Sequence, residues 1–219
     1  VSASFITLGA VWVSMMVPDR EGKMADVVLG YDDLESYLQN PPHFGAPIGR
    51  NANRIGGAVI TIDGVDYKLA ANNGPNNLHS APNLYHIRLW ECTEAATEEG
   101  DRLDFFLESP DGDQGYPGNA KIRVSYTLTD DNRLLLDYQM VSDKDTIANF
   151  TNHSYFNLAG HDGGEVLNQE VWLNASSYTP ADAGSIPTGE IAPVAGTPMD
   201  FTQMKAIGQD IEADFEQLV

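Results

Sequence analysis

Three stretches of the chain hold polar side chains that strands and turns do not require. The first runs Asn149-Phe150-Thr151-Asn152-His153-Ser154-Tyr155-Phe156-Asn157-Leu158, starting as strand alternation and ending as a polar-aromatic mixture. An imidazole titrates near neutrality, so His153, flanked by groups that can fix its tautomer, is a candidate general acid or base. The second is Gly49-Arg50-Asn51-Ala52-Asn53-Arg54-Ile55-Gly56-Gly57, where two Arg and two Asn sit in a glycine-flanked turn. Such a loop offers hydrogen-bond donors to a polar ligand, or is simply a surface turn in which Asn and Gly tolerate left-handed backbone. The third, Asn76-Asn77-Leu78-His79, adds a second histidine. His43, His86 and His161 read as surface or loop residues.

Other chemistries lack their motifs. No His-x-x-x-His or Cys-x-x-Cys pair suggests zinc, and no glycine-rich phosphate loop precedes a helix. Gly-x-Ser-x-Gly is absent, against an esterase. In Ser109-Pro110-Asp111-Gly112-Asp113-Gln114-Gly115-Tyr116-Pro117-Gly118, Asp111 and Asp113 alternate as in a calcium loop, but the closing position is Ile122, not Glu. That segment reads as an Asx-type turn shaping a site wall. Asn149, Asn152 and Asn174 head Asn-x-Ser/Thr triplets, which chance alone also produces. Cys92, the single cysteine, sits in a strand-like stretch, excludes an internal disulfide and reads as inert.

The elements that must carry these loops are strands. Ile122, Val124, Tyr126 and Leu128 alternate with polar residues; Asp130-Asp131-Asn132 turns the chain, and Leu134, Leu136, Tyr138 and Met140 resume the alternation. A second hairpin joins Val59–Ile62 to Val65–Leu69 through Asp63-Gly64, a pair suited to a type I′ turn with two positive φ values. A third joins Leu89–Thr93 to Leu103–Leu107 through an acidic loop, Glu94–Asp101. Further strands are expected at Phe5–Leu8, Trp12–Pro18, Val27–Leu29, Ile147–Thr151 and Val171–Ala175. Short helices are expected over Asp32–Leu38, capped by Asp32 or Asp33, and over Met204–Phe215. The fold class is all-β, an antiparallel sandwich or barrel.

Charge narrows the partners. Twelve Lys+Arg against 32 Asp+Glu give a formal charge of −20 over 219 residues. A chain this acidic repels nucleic acid and anionic membrane surfaces. Its length allows one large all-β domain burying roughly 70% of the surface exposed when unfolded. The longest apolar stretch, Leu8 to Val17, is too short to span a bilayer and has no basic segment before it. A cytoplasmic location is expected, with periplasmic or secreted placement left open, because removal of a signal would leave the same beginning.

Together the loops resemble the aldose 1-epimerase family, the galactose mutarotases. The resemblance rests on Gly49 to Ile55, Asn77-Leu78-His79, Ser109 to Gly118 and Thr151 to Gly160, with smaller echoes at Val17–Lys23, Ala25–Tyr31, Tyr178–Pro180 and Pro193–Phe201. It runs in order along essentially the whole chain. It implies one large antiparallel β-sandwich domain over residues 1–219, of the galactose mutarotase-like supersandwich type with few short helices. It implies interconversion of the α and β anomers of a free aldohexose, with no metal and no organic cofactor. By resemblance, His153 matches the proton donor, Asn53 and Arg54 a sugar-binding pair, His79 a second sugar-contacting histidine, and Tyr155 a pocket-lining residue.

Two departures accompany the match. The family's catalytic base is a glutamate in the C-terminal third, followed there by a sugar-binding aspartate, and neither has a counterpart before Val219. The domain is therefore expected to be truncated at its C-terminus. Ser80 also stands where the family usually has glycine, and Ala81 to Arg88 diverges. Two other functions stay open at this point: a non-catalytic carbohydrate-binding protein on the same fold, and a sugar-phosphate epimerase, which would need additional cationic groups.

Overall fold

The computed structural model describes residues 1–218. Its contacts divide the chain into two compact units, Val1–Phe156 and Asn157–Val219. The first holds β1 (Ser2–Ile6), β2 (Val11–Pro18), β3 (Met24–Asp26), the short helix α1 (Leu34–Gln39), β4 (Pro47–Ile48), β5 (Arg54–Ile55), β6 (Val59–Ile62), β7 (Val65–Lys68), β8 (Asn77–Leu78), β9 (Glu91–Ala96), β10 (Gly100–Ser109), β11 (Ala120–Thr129), β12 (Leu134–Ser142) and β13 (Thr151–Asn152). The second holds β14 (Glu170–Val171), β15 (Ser177–Tyr178), β16 (Ala192–Pro193) and β17 (Lys205–Ala206). Every ladder between these strands is antiparallel. No described helix is long and apolar enough to cross a membrane.

Two sheets make the sandwich of the first unit, β1-β2-β3 and β12-β11-β10-β9. Their inner faces share one apolar cluster, with Trp12 and Met15 from β2 meeting Phe105, Ile122, Val124 and Tyr126 from β10 and β11. The period-two residues of β12, Leu134, Leu136, Tyr138 and Met140, pack on the same cluster, as alternation requires of a half-buried strand. The Phe5 ring lies 4.4 Å from Tyr126. Tyr126 is almost fully buried, so its hydroxyl needs a partner, and it donates to the Ala10 carbonyl at 2.9 Å.

The Asp63-Gly64 turn has φ of 51° and 76°, the two positive values that a type I′ hairpin requires. The third hairpin is tighter than its acidic loop suggested. β9 runs through Glu94 to Ala96 because, as the sheet's edge strand, it can carry charge on its solvent side; Thr97 Oγ1 then donates to the Gly100 carbonyl at 2.8 Å to close the turn. β3 lies just before the expected Val27–Leu29, where only a bridge from Val28 to Phe156 forms. α1 forms with Asp33 as its cap, accepting from the Ser36 N–H at 2.8 Å.

The helix expected over Met204–Phe215 does not form. Lys205 and Ala206 pair with Val171 and Glu170 instead, and the Lys205 ammonium donates to the Pro198 carbonyl at 2.7 Å and to Asp210 at 2.8 Å. Gly208, a poor helix former, turns against Leu167, where an added Cβ would lie 3.0 Å from the carbonyl oxygen. Only Glu216–Leu218 adopts a 3-10 turn.

Candidate functional site

Two short strand pairs position the polar loops. In the first, Arg54 of β5 faces Leu78 of β8. Immediately beyond this pair, Asn53 and His79 are bonded twice: the His79 N–H donates to the Asn53 carbonyl, and the Asn53 N–H donates to His79 Nδ1, each at 3.0 Å. With Nδ1 an acceptor, the neutral His79 ring carries its proton on Nε2. Arg54 is aimed by two amides, its Nε donating to Asn73 Oδ1 at 2.9 Å and its Nη1 to Asn53 Oδ1 at 3.2 Å.

In the second pair, Thr151 and Asn152 of β13 face Ile48 and Pro47 of β4. The ladder extends one bond further, with the His153 N–H donating to the Ala46 carbonyl at 2.8 Å. The Asn152 amide donates to the Gly45 carbonyl at 3.0 Å and to Tyr126 Oη at 3.3 Å, and its oxygen accepts from the Ser154 N–H at 2.9 Å. The backbone on either side of His153 is thereby tied to the sandwich core. This amide is used internally, as is that of Asn149, which donates to Asn51 Oδ1 at 3.1 Å; neither suits a glycan. Gly45 lets the 43–46 segment lie this close to β2, since a Cβ there would stand 1.9 Å from the Trp12 carbonyl oxygen and its φ is +65°.

Between the two pairs lies an open cleft of about 660 Å³ whose wall includes Asn53, Arg54, His79, His153 and Tyr155. All five residues singled out from the sequence share it. The Tyr155 ring, 43% exposed, packs 5.3 Å from His153 and 5.4 Å from Phe44. Phe150 adds an apolar patch, stacked on Tyr138 at 5.8 Å, and Gly49 makes room for it, because a Cβ there would meet the ring at 2.2 Å. An apolar ring surface beside several fixed donors suits a hydroxylated, uncharged ligand. Among the described residues, the lining contains no carboxylate, and Arg54 is its one Arg or Lys.

The other polar members of these loops have structural roles. Arg50 is fully buried and Asn51 nearly so, away from the cleft occupied by Asn53 and Arg54. Asp111 accepts from the Gly118 N–H at 2.6 Å, and Asp113 pairs with Arg88 at 2.7 Å, so Ser109–Gly118 is a stapled turn. Ser80, also fully buried, donates from Oγ to the Asn51 carbonyl and accepts from the Asn51 N–H, both at 2.9 Å, with Tyr116 Oη 3.0 Å away. Its hydroxyl joins the two polar loops behind the cleft. Cys92 is exposed on β9, and partial burial together with Glu94 and Asp104 pushes its thiol up, which fits an unreactive thiol.

His43 and His86 lie in a loop and a 3-10 turn, within the surface-or-loop expectation, but neither is at the surface. His86 is 1% exposed and the His43 ring is partly buried. Centroid distances are 5.4 Å for His43–His79, 5.4 Å for His43–His153, 5.2 Å for His79–His153 and 4.7 Å for His43–His86. A lone histidine in a loop carries no sequence signal of such a contact; the strand pairs place His79 and His153, and the turn after α1 and the 3-10 turn Tyr85–Ile87 bring His43 and His86 to them. Among the described residues, no group of three or more His, Cys, Asp or Glu has the geometry to hold a metal ion.

Burial, with repulsion from His153, His43 and Arg54, lowers His79 to about 4. Burial, with repulsion from His43, His153 and His79, also lowers His86 to about 4, against a bond to the Gln39 backbone that raises it. Unfolded histidines take up protons near pH 6.5, but these two do so only near pH 4. The unfolded state therefore binds more protons across that interval, and stability falls as the pH drops through it. Urea unfolding from pH 7 to 4.5 is expected to show this loss, and His86→Leu to make it shallower; identical slopes would contradict the assignment.

Comparison with known proteins agrees with this geometry. Residues 1–218 match the family model described as aldose 1-epimerase. The chain is 44% identical over 207 residues to galactose mutarotase of Bos taurus, and 39% identical over 210 residues to aldose 1-epimerase of Escherichia coli strain K12. These alignments cover 94% and 95% of this chain but 59% of each relative, so the chain spans about three-fifths of the length of the curated relatives it matches. The crystal structure of galactose 1-epimerase from Lactobacillus acidophilus NCFM superposes with a TM-score of 0.88 at 30% identity, covering 99% of this chain and 62% of that one. A GalM/aldose epimerase homologue from C. elegans gives 0.86 at 33% identity, covering 95% and 63%. A strand-built sandwich, a histidine-lined cleft and a match along nearly every described residue agree on one ancestry: this chain belongs to the aldose 1-epimerase family.

Proposed function

We propose that the protein carrying this chain interconverts the α and β anomers of a free aldohexose such as glucose or galactose, and that this chain contributes the acid and most of the sugar-binding wall. The observation that carries the reading is the convergence of Asn53, Arg54, His79, His153 and Tyr155 on one cleft in a member of this family. In this reading the sugar ring lies against Phe150 and Tyr155, whose faces suit its C–H surface. Arg54, held by Asn73 and Asn53, and the Nε2–H of His79 donate to sugar oxygens. His153, in its protonated form, donates to the ring oxygen as the C1–O5 bond breaks. A base removes the proton of the anomeric hydroxyl, the aldehyde forms, C1–C2 rotates, and closure on the other face returns both protons.

No carboxylate lines the described cleft, so we assign the base to the glutamate that the family carries further along, in the part of its relatives' length that this chain does not span. The single Arg in the lining favours a neutral sugar over a sugar phosphate, whose dianion calls for several cations. Arg54→Ala is expected to weaken sugar binding by about 1.5–3 kcal/mol, the worth of charge-assisted hydrogen bonds, as read by calorimetry; unchanged affinity would remove Arg54 from the site.

The reading is tested by NMR on freshly dissolved α-galactose and α-glucose with the intact protein. Anomer equilibration faster than in buffer supports it. Sugar binding at the buffer rate would make the protein a carbohydrate-binding relative, and neither binding nor acceleration would reject it.

A further inference from the structure

His43 stands behind the cleft rather than in its lining, yet its ring touches both cleft imidazoles and the buried His86. With His79 and His153 it closes a triangle of ring centroids with sides of 5.4, 5.4 and 5.2 Å and interplanar angles of 80°, 72° and 85°. Those are edge-to-face contacts, the arrangement that aromatic quadrupoles favour. The backbone holding His43 is well anchored. Its N–H donates to the Asn40 carbonyl at 2.8 Å, its carbonyl accepts from Ala46 at 3.1 Å, and the Asn40 side chain clamps Phe44 through both its amide and its oxygen. His43 Nδ1 is buried without a hydrogen-bond partner, so at that nitrogen the ring is held by packing.

Resting on the reading of His153 as the acid, we propose that His43 is a positioning residue for it: the neutral His43 ring supports the His153 ring from behind, and the support fails when His43 takes up a proton. A second cation this close to the His153 ring would repel the proton-bearing form that the acid role requires. Burial and the nearby His153 both hold His43 below the ordinary imidazole range, which keeps it neutral around pH 7. The ionisable groups facing it are His79, His86 and His153, and the first two are neutral until about pH 4.

The test uses the intact protein with His43→Phe, which keeps a flat ring but cannot be protonated, and His43→Leu, which fills the space without one. Anomer exchange is followed by NMR from pH 4.5 to 8, with His153→Ala alongside. His43→Leu is expected to lower kcat about tenfold at pH 7.5 while KM changes less than about twofold, the signature of a displaced reacting group. His43→Phe is expected to keep wild-type kcat at pH 7.5 and to hold it to lower pH than wild type. Wild-type kcat in His43→Leu, or an acidic limb of His43→Phe that overlies wild type, would overturn the inference. Should His43→Leu fail to fold, the acidic limb of His43→Phe decides. Wild-type turnover in His153→Ala would reject the acid assignment and this inference with it; an inactive His153→Ala beside an unaffected His43→Leu would reject this inference alone.

Discussion

Replacing His153 by Ala is expected to slow anomer exchange by the intact protein on the order of 10²–10⁴-fold, the usual contribution of a general acid. Fold and sugar affinity should be little affected. The imidazole is partly exposed at the cleft, and the hydrogen bonds that fix its position are made by its own backbone N–H and by Asn152 and Ser154, all of which survive the substitution. Polarimetry or NMR reads the rate, and circular dichroism the fold. A variant that folds and turns over at the wild-type rate would remove His153 from the chemistry. The companion Asn152→Ala should lower the rate less, because it loosens the backbone beside His153 by freeing the Gly45 carbonyl, the Tyr126 hydroxyl and the Ser154 N–H but keeps the imidazole itself.

The largest expected effect on stability lies a few residues before Arg54. Arg50 is fully buried, and its guanidinium donates to the carbonyls of Pro117 at 2.7 Å, Gly118 at 2.8 Å and Ser109 at 3.0 Å, and to the hydroxyls of Ser109 at 2.9 Å and Thr146 at 3.2 Å. The Tyr116 ring lies 6.0 Å beneath the cation. Arg50→Ala strands several buried acceptors at once, and each unsatisfied group costs roughly 1–3 kcal/mol, so a loss of about 3 kcal/mol or more is expected in urea unfolding. Arg50→Lys should recover little of it, because an ammonium cannot reproduce the planar fork. A loss below about 1 kcal/mol would mean that these carbonyls find other partners.

Arg50 and Arg54 also show how far the sequence could be read. Both stand in one polar loop, four residues apart, and nothing in their types tells which is buried. The difference appears only when the stapled turn Ser109–Gly118 supplies the carbonyls that surround Arg50, and Asn73 supplies the amide that aims Arg54. Long strands were legible because eight or ten residues of alternation leave a period to count; β11 and β12 lie within a residue or two of expectation. The strands that build the cleft, β4, β5, β8 and β13, have two residues each and therefore no period. Their loops could be picked out by polar content and by family resemblance, but their pairing could not.

The histidines divide in the same way. His79 and His153 sit in polar loops matching a family motif, whereas His43 and His86 sit among ordinary loop residues. What brings these two to the back of the cleft is non-local: the capped end of α1 followed by a glycine pressed onto β2, and the 3-10 turn Tyr85–Ile87. The expected helix over Met204–Phe215 failed for a comparable reason, since strand pairing with Glu170–Val171 outweighed a weak local propensity.

The role of the cleft is most directly examined by a crystal structure of the intact protein with galactose bound. The sugar is expected beside Phe150 and Tyr155, its ring oxygen within hydrogen-bonding reach of a His153 ring nitrogen and its hydroxyls on Arg54 and His79. A sugar seated in another part of the molecule, or one in this cleft with its ring oxygen turned away from His153, would contradict the account.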